Sequence, residues 1–293
     1  MSAAPDWDRE GRGWPHREAS RFVAAGGLDW HVQVLGEGPA LLLLHGTGAA
    51  THSWRGLMPR LAERFTVVAP DLPGHGFTRG RPPGGLALTA IAGATASLLD
   101  KLATKPALVA GHSAGAAIAA RMAFDGSHRA PIVAFAPALL PFPGLAAHVF
   151  PAFAKLLFLN PLASHLFARI ARIEGEVGRF LKRSTGSAID AEGVGLYARL
   201  FASPGHCAGA VEMMADWDLG ALKRHLPRLP VPMLIVHGGE DGAVPPSAAR
   251  EAARLVPDAR LEEWPGLGHL AHEERPEQAA EAIMAFAEKQ AVR

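Results

Sequence analysis

Ala107-Leu108-Val109-Ala110-Gly111-His112-Ser113-Ala114-Gly115 is the stretch on which the fold turns. A short apolar run with the composition of a buried strand breaks into Gly-x-Ser-x-Gly. Small residues follow at helical spacing: Ala116, Ala117, Ala119 and Ala120. The order is strand, sharp turn, helix. Such a turn strains the serine backbone and lifts its hydroxyl clear of the sheet edge, and side chains in place of the glycines would clash with neighbouring chain. In a chain with 32 glycines the pattern alone is weak. The strand before it and the helix after it make it specific. The bland alternative is a serine that only caps the helix.

Working outward, the same alternation recurs on both sides. Residues 22–23 and 28–35 read as two short strands around the turn Gly26-Gly27. In the second, Leu28, Trp30, Val32 and Val34 alternate with Asp29, His31 and Gln33, the pattern of a half-buried strand. Leu41-Leu42-Leu43-Leu44 suits a strand covered on both faces. Residues 53–64 read as a helix with Trp54, Leu57, Met58 and Leu61 on one side, 66–69 as a strand, and 88–102 as a helix. Strands are expected at 132–135, 233–236 and 261–264, and helices at 247–255 and 276–289. Between 137 and 219 only helical patterns occur. Strands alternating with helices imply a parallel sheet covered on both faces. The expectation is an α/β fold: a mostly parallel eight-stranded sheet, with a helical segment inserted after strand 6.

A serine is a poor nucleophile until a base takes its proton, and the base needs a group to orient it. In open parallel sheets the site lies beyond the carboxyl ends of the strands. After strand 233–236 comes His237-Gly238-Gly239-Glu240-Asp241-Gly242, and after strand 261–264 comes Pro265-Gly266-Leu267-Gly268-His269. Ser113, Asp241 and His269 thus follow one another in the chain order of a nucleophile-elbow hydrolase. Glu240 is the rival carboxylate. His112, His237 and His272 are rival bases, with His112 expected to shape the pocket floor. The oxyanion donors expected are the N–H groups of Ala114 and of Thr47, the latter in the loop His45-Gly46-Thr47-Gly48. That loop lacks the Lys-Ser or Lys-Thr of a nucleotide cradle. The serine chemistry needs no metal and no organic cofactor.

Residues 41–54, 71–76 and 111–115, with Asp241 and Gly268-His269, resemble the α/β-hydrolase superfamily. The likeness covers roughly residues 20–137 and 220–290. It implies a core at 20–137 and 220–293, an N-terminal extension at 1–19, and a helical cap at 138–219 over the site. Trp14-Pro15-His16-Arg17-Glu18, Trp30-His31-Val32-Gln33-Val34 and the run from His45 to Arg55 also resemble the magnesium-chelatase accessory proteins of bacteriochlorophyll synthesis in photosynthetic bacteria. This second likeness implies a pathway, not a reaction. It makes magnesium chelatase a candidate partner and a tetrapyrrole a candidate ligand.

The inserted segment bears on the substrate. Leu145, Val149, Phe150, Phe153, Leu156, Leu157, Phe158 and Leu159 form a helical pattern apolar nearly all round. Such a helix closes on the core with one face and lines a pocket with the other, or docks on lipid. Substrate contacts are expected from His45, Gly46, His112, Phe150, Phe153 and Leu157. Arg169, Arg172, Arg179, Lys182 and Arg183 follow, as a solvated face or as partners for carboxylates on a large apolar ligand. The pattern fits an esterase-like enzyme for a large apolar substrate. A carbon–carbon bond hydrolase, a perhydrolase, or a protein that only binds pigment or chelatase are the alternatives.

The chain has 293 residues, about half of them hydrophobic, and a net charge of +1, which argues against nucleic acid as a partner. The single cysteine, Cys207, has no internal partner for a disulfide, as suits a reducing compartment. The first twenty residues lack an apolar signal core, and prolines at 137, 141, 143 and 151 break the apolar region 134–167. The expectation is a cytoplasmic protein, with peripheral membrane contact left open.

Overall fold

The computed structural model describes residues 4–141 and 161–292. Its centre is a twisted sheet of nine strands. These are β1 (Ser20–Ala25), β2 (Leu28–Leu35), β3 (Ala40–Leu44), β4 (Thr66–Pro70), the two-residue β5 (Arg79–Gly80), β6 (Pro106–His112), β7 (Ile132–Phe135), β8 (Met233–Gly238) and β9 (Ala259–Trp264). Eight of them follow the spatial order β1-β2-β4-β3-β6-β7-β8-β9, with β5 beside β2. β1, β2 and β4 pair antiparallel, and every pair from β4 to β9 is parallel. Without β5, which is too short to leave an alternation in the sequence, the count is eight and the helical insertion follows the sixth.

The parallel strands are apolar on both faces because helices cover both. Leu42, Leu44 and Val109 pack with α1 (Leu88–Lys101), α2 (Ala114–Phe124) and α7 (Pro246–Leu255). Leu41, Leu43, Leu108 and Ala110 pack on the other side with Trp54, Leu57 and α8 (Pro276–Lys289). Successive residues of a strand point to opposite faces, so one leucine run serves two cores. Two expectations need correction. The helix at 53–64 is a 3₁₀ turn, Thr51–Trp54, followed by one helical turn, Met58–Leu61. A Cβ at Gly56 would come within 2.7 Å of Pro276, so this segment is pressed against the start of α8. The polar face of β2 is also not solvated. His31 and Gln33 are fully buried, because the N-terminal residues lie over them. Gln33 Nε2 donates to the Pro15 carbonyl at 2.6 Å, and the Trp7 ring sits 4.6 Å from that of His31.

Between β7 and β8 the described residues include α3 (Pro161–Ile170), α4 (Glu176–Thr185), α5 (Ala191–Phe201) and α6 (Pro204–Asp216), followed by a short helix at Leu219–His225. Their apolar residues Val177, Leu181, Tyr197 and Phe201 pack with Ala49 and Leu270, which come from loops at the carboxyl edge of the sheet. This seats the helices over that edge. Arg169, Arg172, Arg179, Lys182 and Arg183 are exposed.

Candidate active site

Ser113 joins β6 to α2 with φ +50° and ψ −111°, a conformation a non-glycine residue holds only when its surroundings impose it. Ser113 N–H donates to the Phe135 carbonyl at 2.9 Å, and its own carbonyl accepts from Ala138 N–H at 3.1 Å. The glycines have steric causes. A Cβ at Gly115 would collide with the Leu44 carbonyl, and one at Gly111 with the backbone of Gly115 and Ala116. The turn puts Ser113 at the amino end of α2, where unpaired N–H groups favour developing negative charge.

Asp241 is buried on the loop after β8. Its Oδ1 accepts from the N–H groups of Ala243 and Val244, each at 2.8 Å, which fixes the carboxylate plane. Its Oδ2 accepts from His269 Nδ1–H at 2.8 Å. That tautomer leaves His269 Nε2 as an acceptor. Glu240, one residue away, is exposed. Ser113, His269, Thr47 and Ala114 line one cavity of about 1850 Å³, together with His112. Among the described residues no hydrogen bond closes from Ser113 to His269.

His112 lies beside His269. Its Nε2–H donates to the His269 carbonyl at 3.1 Å, and its ring is 4.4 Å from that of His272. Burial, then the neighbouring His272 and His269, pushes its pKa well below the ordinary histidine value. His272 is pushed down to about 3, by burial first and then by His269 and Arg55. Neither ring is a charged competitor at neutral pH. His237 is fully buried, its pKa lowered mainly by burial, with Nε2 3.7 Å from Asp241 Oδ2.

His45 and Gly46 do not form the cavity wall as expected. His45 is fully buried and both its nitrogens are spent on backbone: Nδ1–H donates to the Gly46 carbonyl at 2.8 Å, and Nε2 accepts from Leu72 N–H at 2.9 Å. It sets the path of the Thr47 loop from behind. A Cβ at Gly46 would come within 2.6 Å of His112 Nδ1, so the loop can approach Ser113 only with glycine there. Thr47 itself donates through Oγ1 to Met213 Sδ on α6 at 3.2 Å. Phe150, Phe153 and Leu157 lie outside the described residues.

The sequence reading missed a turn that holds the Asp241 and His269 loops together. The Thr185 carbonyl, at the end of α4, accepts from Gly242 N–H at 3.2 Å and from His269 N–H at 2.8 Å. Ser187 Oγ accepts from Leu270 N–H at 2.8 Å and donates to Glu274 Oε2 at 3.0 Å. Glu274 in turn accepts from Gly268 N–H at 2.8 Å and Ala188 N–H at 2.9 Å. Gly186 between them has φ +72°, and a Cβ there would strike the Glu240 carbonyl. The only local signal is a glycine at a helix end. The cavity wall is largely apolar, with Leu140, Phe167, Phe180, Phe201, Met213 and Trp217 among its residues. Arg81, also unanticipated, lies on it and pairs with Glu212 at 2.6 Å.

The model of the alpha/beta hydrolase family matches residues 41–282. The chain belongs to that family. The magnesium-chelatase 30 kDa subunit of Rhodobacter capsulatus is 41% identical over 262 residues, covering 89% of this chain and 91% of that protein. A pimeloyl-acyl-carrier-protein methyl ester esterase of Aromatoleum aromaticum is 31% identical over 257 residues, 84% of this chain and 96% of its own. The thermophilic esterase of Thermogutta terrifontis superposes with a TM-score of 0.74 at 21% identity, over 92% of this α/β-hydrolase and 98% of the esterase. That last likeness concerns the fold. Among the described residues no helix is long and apolar enough to cross a membrane.

Proposed function

We propose that this α/β-hydrolase is a serine hydrolase of an ester or related acyl bond in a large, mainly apolar substrate. One observation carries the reading. A strained serine and a histidine already oriented by a buried carboxylate open on the same apolar cavity. Ser113 Oγ attacks the acyl carbon while its proton passes to His269 Nε2. Asp241 holds the imidazolium that results. The N–H groups of Ala114 and Thr47 receive the oxyanion. Collapse expels the alcohol, which takes the proton from His269, and leaves the acyl group on Ser113. Water, deprotonated by the same histidine, then releases the acid and restores the serine. The helices α3 to α6 act as the cap of the site.

A cavity of about 1850 Å³ exceeds the usual range for small-ligand pockets and suits a long acyl chain or a tetrapyrrole ester. The likeness to a protein named as a magnesium-chelatase subunit supports a place beside magnesium-tetrapyrrole synthesis. Rates on p-nitrophenyl esters of increasing chain length test the substrate class. The expected result is kcat/KM rising from acetate to long chains and vanishing in Ser113→Ala. A preference for acetate contradicts it. The non-catalytic alternative, binding of pigment or chelatase alone, is favoured only if Ser113→Ala fully rescues a strain lacking the protein.

A further inference from the structure

Exposed large apolar side chains are not scattered over this molecule. Of the five among the described residues, Phe22 lies elsewhere. The other four are Leu166 (61% exposed), Ile170 (42%), Ile173 (56%) and Phe180 (44%). Leu166, Ile170 and Ile173 recur at helical spacing along α3 and its end, so they share one side. Phe180 belongs to α4, and the two helices meet where Phe167 and Phe180 pack edge to face at 5.4 Å. Ile170 and Phe180 also line a shallow second hollow of about 370 Å³, beside Arg179 and Arg183. Leu166, Ile170 and Phe180 line the large cavity as well. Leu166, Ile170 and Phe180 therefore form a rim of that cavity, and Ile173 extends the patch beyond it.

The charge on this patch has one predominant sign. Arg169, Arg172, Arg179, Lys182 and Arg183 are exposed among the apolar side chains, against Glu174 and Glu176. Arg179 is paired with Glu176 at 2.6 Å, and Arg172 donates to the Ala202 carbonyl at 3.3 Å. Arg169, Lys182 and Arg183 form no ion pair with a described residue. A soluble surface of basic residues alone would suit an acidic protein. Interleaved isoleucine, leucine and phenylalanine suit the boundary between headgroups and acyl chains, where long basic side chains reach outward to phosphate.

We propose that the rim formed by α3 and α4 docks on a bilayer surface bearing anionic headgroups, with the cavity mouth facing the membrane. An apolar ligand then passes from the bilayer into the cavity without crossing water. This goes beyond the hydrolase reading and holds whether or not Ser113 is catalytic.

The test is sedimentation of the full chain with vesicles of phosphatidylcholine alone, and with about one third phosphatidylglycerol. Binding to the anionic vesicles is expected to be at least about tenfold tighter, and to fall in about 0.5 M salt. Ile173→Asp and Arg183→Glu, neither on the cavity wall, are each expected to weaken it severalfold, with ester hydrolysis in solution and thermal melting unchanged. No sedimentation, or equal binding to neutral vesicles, overturns the proposal. So does a concentration-dependent dimer that Ile173→Asp dissolves, or binding of an acidic carrier protein in place of vesicles.

Discussion

At the cavity, His269 donates to Asp241 at 2.8 Å; at the antiparallel edge of the sheet, His31 donates to Asp71, also at 2.8 Å. The second chain is the more complete by hydrogen bonding alone. His31 Nε2 shares a bond with Ser20 Oγ at 3.0 Å, whereas no bond joins Ser113 to His269 among the described residues. Their surroundings separate them. The side chains of His31 and Asp71 are wholly buried, while 9% of the His269 side chain remains accessible. Asp71 also accepts from the N–H groups of Thr51 at 2.7 Å and Phe77 at 2.8 Å, which ties two loops to β2. Burial alone would raise the Asp71 carboxyl. His31, then His45 and the Phe77 amide, outweigh it and hold the carboxyl below the ordinary carboxylate range. On the proposed reading, the His269–Asp241 pair serves chemistry because it meets a cavity and a strained serine. Sealed, the His31–Asp71 pair with the half-buried Ser20 is a fastening.

The sharpest way to break this distinction is to substitute both carboxylates alike. Asp241→Asn is expected to lower kcat about 10⁴-fold with little loss of stability. Asp71→Asn is expected to cost about 3–5 kcal/mol of stability, because it breaks a buried pair, and to leave kcat of the folded fraction within about twofold. Ester kinetics beside urea denaturation read both. If Asp71→Asn removes activity from molecules that remain folded, the sealed chain is more than a fastening.

Acid separates the fastening from its neighbours. Burial lowers His206 to about 4 and His272 to about 3. Their folded values lie below the ordinary 6.5, so the unfolded chain takes protons first. Stability is full above pH 6.5 and drains as pH falls towards those values, at about 1.4 kcal/mol per pH unit for each histidine. The Asp71 carboxyl is also lowered, so its contribution is present above its ordinary 3.8 and lost below it. Melting curves against pH are expected to fall in both windows, and Asp71→Asn to lose the lower one only.

The smallest effect concerns the turn that only the open chain possesses. Ser187→Ala removes the acceptor of Leu270 N–H and the donor to Glu274. A drop in kcat of about tenfold is expected, with KM nearly unchanged, since the base loop loosens rather than the cavity. Ser20→Ala, which removes the hydroxyl bonded to His31, is expected to leave kcat as it is and to cost about 1 kcal/mol of stability.

Much of this was legible in the sequence, for reasons that differ by element. The parallel strands and the helices at 88–101 and 276–289 announced themselves because both faces of a strand and one face of a helix must be apolar. The placing of Ser113, Asp241 and His269 at one edge of the sheet was legible because each follows a strand. The sealing of His31 and Gln33 was not, because Trp7, which packs on His31, and Pro15, which bonds to Gln33, come from a stretch without periodicity. The same holds for Thr185, whose part is played by a backbone carbonyl. A main-chain acceptor leaves no trace in residue type. His45 was misplaced for a related reason: its position beside the loop at Thr47 suggested contact with substrate, and its two backbone hydrogen bonds become visible only in three dimensions.

Labelling with a fluorophosphonate probe, followed by mass-spectrometric mapping of the modified peptide, tests the central claim most directly. The account predicts a covalent adduct on Ser113 alone, none on Ser20, and none at all in Ser113→Ala. An unlabelled wild-type protein, or equal labelling of Ser113→Ala, would contradict it.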